Sequence, residues 1–191
     1  MAESQPVALS HWLRDMGAAL NGEVDADVPC GPCTACCASS QFVHVAPTDL
    51  DALAAIPAAL LFAAPGLPEG HQLLGYDEQG RCPMLTDHGC SIYDARPQTC
   101  RTFDCRIFAA TGVEPDPEKP LIARRVTDWR IDTPTERDRV ELKALRAAAA
   151  FAADAQNAER YDGLPRSPTG VAVVAVETFR DHLPESPAEP R

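Results

Sequence analysis

The chain has 191 residues, eight of them cysteine, with 45 % hydrophobic residues and a formal net charge of −11. That length suits one domain, or one domain with a tail, and the hydrophobic fraction permits a proper core although alanine supplies much of it. The acidic balance argues against nucleic-acid binding, which relies on neutralising phosphates, and no apolar run is long enough to span a bilayer.

Taken in order, Ser10 is placed to cap a first helix whose apolar face is Trp12, Leu13, Met16, Ala19 and Leu20, and Asn21-Gly22 ends it. Residues 23–29 form an acidic connector into Cys30-Gly31-Pro32-Cys33-Thr34-Ala35-Cys36-Cys37, which packs four thiols into eight consecutive positions. A C-x2-C step brings two thiolates to one ion while the turn between them aims backbone N–H groups at the sulfurs. Here the step repeats, and Gly31 and Pro32 ease and pre-set the turn. Neighbours in extended chain point to opposite sides, so Cys36 and Cys37 suit different metals, or Cys37 is a spare packed thiol.

Beyond that loop, Gln41 to Val45 alternates like a short strand, and Thr48-Asp49-Leu50-Asp51 reads as a helix start that carries on through Leu53 and Ala54 to a break at Pro57. Residues 64–68 are loop, His71 to Tyr76 a further strand candidate, and Asp77 to Gly80 a turn that delivers the second thiol group, Cys82, Cys90, Cys100 and Cys105. Pro97 suits the first position of a helix that would hold Cys100 in its first turns. Residues 112–120 read as a Pro- and acid-rich loop. Thr133-Pro134-Thr135-Glu136 predicts a capped helix start, with Leu142, Leu145, Ala149 and Ala152 on one face as far as about Tyr161, closed by Gly163. Ser167-Pro168 opens a last helix through Val171, Val174, Ala175, Thr178 and Phe179, although its valines also suit a strand.

The whole predicts a small α+β protein, mainly α with short β elements, as a compact metal-stabilised cysteine-cluster domain with C-terminal helices. The expected organisation is an N-terminal helix over 1–22, a cysteine-cluster metal-binding domain over 23–110, a helical part over 111–182 packed on it, and a disordered tail over 183–191.

All eight cysteines fall in the two groups, so the expected metal ligands are Cys30, Cys33, Cys36, Cys37, Cys82, Cys90, Cys100 and Cys105. They fit two four-sulfur sites or one cluster with bridging thiolates. A disulfide framework is the alternative for an even number of cysteines. Against it stand an N-terminus with an early acid and no apolar segment, which reads as cytoplasmic, and a length that needs no staples. Residues 1–80 carry ten acids against Arg14 alone, whereas residues 81–130 carry eight bases against seven acids. Arg81, Arg96, Arg101 and Arg106 therefore lie near cysteines, where guanidinium groups would offset the surplus charge of thiolates around a dication. The plain alternative is a chain that favours Arg over Lys. His44 and His88 lie nearest the thiols and could replace one as ligand, against the commoner role of hydrogen-bonded surface histidine.

The run Cys30, Cys33, Cys36, Cys37 resembles the CxxCxxCC or YkgJ-type cysteine-cluster family. Cys82-Pro83-Met84-Leu85, Gly89-Cys90-Ser91-Ile92-Tyr93 and Arg96-Pro97-Gln98-Thr99-Cys100-Arg101 are similar to that family's second half. The resemblance covers about residues 28–106 and stops short of including Cys105 with the same specificity. It implies a zinc- or iron-chelating domain with a metal ion as partner, and no established reaction for most members. The leading expectation is a protein in which zinc or an iron–sulfur cluster is largely structural, with an interaction or metal-handling role and no membrane. The alternative is an iron–sulfur redox or methylation-related group-transfer enzyme or its accessory protein, since the motif also occurs in flagellin lysine N-methylases. Neither the C-x3-C-x2-C order nor the ferredoxin run is completed, both failing at Ser40, and no Gly-rich nucleotide loop is present.

Overall fold

The computed structural model of the chain describes residues 6–26, 28, 32–161 and 163–184. Cys30 and most of the expected tail, residues 185–191, lie outside the described residues. Helices predominate over a few short strands, a small compact α+β structure as expected. In chain order the elements are β1 (Val7–Ala8), α1 (Leu9–Leu20), β2 (Val43–Val45), α2 (Leu50–Ala55), β3 (Leu61–Ala63), β4 (Gln72–Leu74), β5 (Leu85–Thr86) and β6 (Gly89–Cys90). They continue with α3 (Gln98–Thr102), α4 (Arg106–Thr111), α5 (Pro120–Val126), β7 (Ile131–Asp132), α6 (Glu136–Ala153), α7 (Ala155–Arg160) and α8 (Pro168–Thr178). Cys36–Ala38 is a short 3-10 turn.

The chain divides into two units. One is formed by the described parts of Met1–Gly17, Cys105–Pro117 and Ala123–Arg191. Its core is helix on helix: α6 lies against α8 and both meet α4. Ala144, Ala148, Ala149 and Ala152 of α6 and Ala172 and Ala175 of α8 are buried, so small side chains let the backbones approach while Leu145, Ile107, Phe108 and Val176 fill the volume. Strand β1 pairs in parallel with β7, Val7 opposite Ile131. The first helix buries Trp12, Leu13 and Met16 of the expected face together with Leu9, and it begins at Leu9, so Ser10 lies inside it and is not its cap.

The second unit comprises Ala18–Asp104 and Glu118–Ile122. Its sheet has the order β2-β4-β3, both pairs antiparallel, with Val43 and Leu61 flanking Leu74. One sheet face supplies Val45 and Leu74 to a small core with Ala52 and Ile56 of the α2 segment, and Cys82, Met84 and Ile92 pack at its margin. On the other face Phe42 and Phe62 meet edge to face over Gly75, and His44 stacks on His71. Strands β5 and β6 form a separate two-residue hairpin, Leu85 opposite Cys90.

Several boundaries depart from expectation. Helix α2 ends at Ala55, and Pro57 instead opens a 3-10 turn, Ala58–Leu60, that leads into a strand with no sequence signal. The capping box of α6 is Thr135 with Asp138, not Thr133 with Glu136. The two candidate boxes differ by two residues, and Asp138 gains a further bond to the Ser10 amide at 3.0 Å that the Glu136 alternative lacks. The helix does not run to Tyr161: Asp154 turns extended and accepts from the Gln156 amide at 2.8 Å, so α7 starts afresh with its own cap. The segment after Ser167 is helix, Ser167 Oγ accepting from Gly170 N.

Candidate metal centre

The second unit draws the two cysteine-bearing stretches together by backbone pairing. The Cys82 amide donates to the Cys37 carbonyl at 2.7 Å, and the Ser40 amide donates to the Gly80 carbonyl at 2.7 Å. Ser40 takes a left-handed φ of 50°, and Gly80 one of 75°. A Cβ on Gly80 would meet the Ser40 hydroxyl, and the left-handed φ strains any other L residue, so both space and backbone favour glycine. The Ser40 carbonyl in turn accepts from Lys119 Nζ at 2.7 Å.

Cys82 is held by its own turn: the amides of Met84 and Leu85 are directed at its sulfur, and Leu85 N also reaches the Cys82 carbonyl at 2.9 Å. Ser91, after β6, donates from N and Oγ to the Met84 carbonyl at 2.9 and 3.0 Å, which locks the Cys90 strand beside that turn. Burial raises the Cys82 thiol, the two amides pull it back, and the neighbouring Cys90 and Asp77 charges raise it further.

Cys100 completes the group from α3. Its thiol is pushed up to about 12, first by desolvation and then by the Cys37, Cys82 and Cys90 thiolates, with Arg96 acting in the opposite direction. The residue keeps solvent-accessible surface, so water limits the desolvation part, and the charges of the three sulfur neighbours are the cause that remains. Four thiols from three separate stretches are thus electrostatic neighbours: Cys37, Cys82, Cys90 and Cys100. Among the described residues no three Cys, His, Asp or Glu side chains already stand as a group that could hold a metal ion. The thiols are gathered without being drawn in on one centre. The donor set nevertheless fits a soft or borderline cation, because sulfurs that repel one another when ionised attract a common ion.

The remaining expected ligands are placed differently. Cys33 and Cys36 are half-buried in the first loop, and Cys30 lies outside the described residues. Cys105 belongs to the first unit, is buried, and its sulfur accepts from the Trp129 indole N–H at 3.0 Å. His44 Nε2 and His71 Nδ1 are 2.8 Å apart and bond to each other, while His88 sits exposed in the β5–β6 turn.

Arg96 and Arg101 act as ties. Arg96 Nη1 donates to the Tyr93 carbonyl at 2.8 Å with its guanidinium 4.0 Å over the Tyr93 ring. Arg101 Nε lies 3.2 Å from Asp25 Oδ1, and its Nη1 reaches the Arg96 carbonyl at 3.2 Å. The roles of Asp25 and Lys119 leave no mark in the local sequence because each acts across tens of residues, and Asp49 shows there only as a helix-start residue.

Residues 29–117 match the model of the CxxCxxCC family, described as a "putative zinc- or iron-chelating domain". No curated protein and no solved structure matches the chain. The matched stretch runs from just before the first cysteine of the motif to beyond Cys105 and includes every residue of the four-thiol group. Over residues 29–117, just under half of its length, the chain is therefore similar to the CxxCxxCC domain described as zinc- or iron-chelating.

Proposed function

We propose that the protein chelates zinc or iron through Cys37, Cys82, Cys90 and Cys100, and that the bound metal is largely structural, serving an interaction or metal-handling role. The observation that supports this reading is the bond from the Cys82 amide to the Cys37 carbonyl at 2.7 Å, which joins the two cysteine-bearing stretches, with Cys90 paired to the same turn through Leu85 and Cys100 feeling the charges of all three. A bound dication supplies the positive charge that four thiolates need to ionise side by side. The chain's own contribution is to hold the sulfurs: the Met84 and Leu85 amides fix Cys82, the β5–β6 pairing fixes Cys90, and Arg96 offsets part of the surplus negative charge at Cys100.

Cys30, Cys33 and Cys36 are proposed as further donors that extend the centre or form a second one, from the same loop as Cys37. Cys105 is proposed as a buried acceptor for Trp129 rather than a ligand, because it is buried in the helical unit against that indole. The proposed compartment is the cytoplasm, where thiols stay reduced. No helix among the described residues is long and apolar enough to cross a membrane.

The exposure of Cys100 supports a second reading, an iron–sulfur centre with a solvent-facing side suited to redox or group transfer. Protein purified without oxygen separates the two. Colourless protein with zinc supports the structural site, and brown protein with several irons per chain supports the cluster. In either case serine at position 37, 82, 90 or 100 should at least halve the bound metal. Metal content unaffected by all four changes overturns the assignment.

A further inference from the structure

Helix α3 carries Cys100 but has no cap of its own. Its N-cap is Pro97, a buried ring with no side-chain acceptor. The Gln98 amide at the first helical position needs a partner from elsewhere. That partner is Asp49: its Oδ1 accepts from Gln98 N at 2.9 Å, and its Oδ2 accepts from Ala46 N at 2.9 Å. The Asp49 side chain is only 4 % exposed, with Arg101 Nη2 3.8 Å from Oδ1. Arg101 follows Cys100 directly, and the same Nη2 holds Gln98 Oε1 at 2.7 Å.

A buried carboxylate with two amide donors and a guanidinium beside it is held in one orientation. It makes no capping bond within its own helix, although it stands at the N-cap of α2. Its reach is instead toward α3, 49 positions along the chain. A helix turns about 100° per residue, so a slip of α3 by one position would swing Cys100 off its neighbours.

We propose that Asp49 is a positioning residue for the metal centre: a long-range cap that sets where α3 begins and so aims the Cys100 sulfur at Cys37, Cys82 and Cys90. This rests on the four-thiolate reading above. Arg101 braces the same corner by spanning Gln98, Asp49 and Asp25.

The contact can be broken from either end in the full chain, with cobalt(II) as probe, because thiolate-to-cobalt absorbance scales with the number of bound sulfurs. Asp49→Ala removes the acceptor. Gln98→Pro removes the amide hydrogen at a position where proline is tolerated, and Pro97 already has the extended ψ of 155° that precedes a proline. Gln98→Ala, which keeps the backbone donor, is the baseline for Gln98→Pro. Both breaking variants should lose about a quarter of the charge-transfer intensity, match Cys100→Ser in spectrum, and bind cobalt roughly 10–100-fold more weakly than their references. Full intensity and unchanged affinity in either variant would overturn the proposal. So would failure of both to fold while Cys100→Ser folds, since the contact would then hold the fold and not the ligand. Wild-type protein without thiolate-to-cobalt absorbance would instead sink the four-thiolate reading itself.

Discussion

The Asp138 carboxylate serves two helix starts at once. It accepts from Thr135 N and Oγ1 at the head of α6, and from the Ser10 amide in the first turn of α1. These bonds, led by the Thr135 hydroxyl, hold its carboxyl down at about 2, below the ordinary 3.8. A lowered folded-state value contributes stability that is full above the ordinary value and is lost as pH falls from about 4 toward 2. Wild-type protein should therefore lose stability across that window more steeply than Asp138→Asn, as thermal melts at stepped pH would read; parallel slopes would contradict it. Thr135→Ala removes one side of the box and should destabilise by about 1 kcal/mol in urea titration. The pattern S/T-x-x-D/E is legible at this start, yet it fits both Thr133–Glu136 and Thr135–Asp138. What selects the second is Ser10, more than a hundred residues away, which no local window contains. The same limit hides Asp49: its position before Leu50 reads as a local cap, while its bonds reach Gln98. Cys105 is the opposite case, a thiol grouped with the others by spacing whose sulfur is engaged by Trp129. Cys105→Ala should leave metal content unchanged and lower stability by about 1–3 kcal/mol, the penalty for a buried indole donor left without an acceptor. Loss of metal in that variant would restore Cys105 to the ligand set.

At the scale of elements, the decisive pairing is residues 37–40 against residues 80–82. Two backbone bonds and one missing Cβ bring the Cys37 loop onto the Cys82 turn. Gly80→Ala meets both a left-handed φ and Ser40 Oγ, and should destabilise by about 1–3 kcal/mol while weakening metal binding. Adding Ser40→Gly clears the steric part and should recover some of that loss, an interaction that a double-mutant cycle measures directly. Additive effects would show that the two residues do not press on each other. The longer elements, α1, α6 and α8, are readable because each shows helical periodicity over several turns. Strand β3, the β5–β6 hairpin, α4, α5 and β7 span two to seven residues, too few for periodicity to appear. The break between α6 and α7 is hidden by an alanine-rich run whose helical pattern continues across Asp154. That side chain prefers to cap a new helix than to continue the old one.

For the molecule as a whole, the two units differ in how much apolar contact sustains them. The helical unit buries interlocking faces of α4, α6 and α8, whereas the cysteine-bearing unit has a core of Val45, Ala52, Ile56 and Leu74 with Cys82 at its margin. A core of that kind gains from added cross-links, and the proposed metal, shared by distant sulfurs, would supply them. Chelation should therefore speed amide exchange in residues 32–104 by orders of magnitude while α6 and α8 keep their protection; equal loosening of both would contradict this. Cysteine spacing alone makes the proposed chemistry legible: soft donors in two groups. It does not reveal which sulfurs would share a metal, because in the proposed centre that depends on the Ser40–Gly80 approach and on the start of α3. The most direct test is X-ray absorption at the edge of whichever metal accompanies protein purified without oxygen. The predicted result is a coordination sphere of sulfur at about 2.3 Å that loses one scatterer in Cys100→Ser. Coordination by nitrogen and oxygen, or a sphere unaltered by that substitution, would contradict the account.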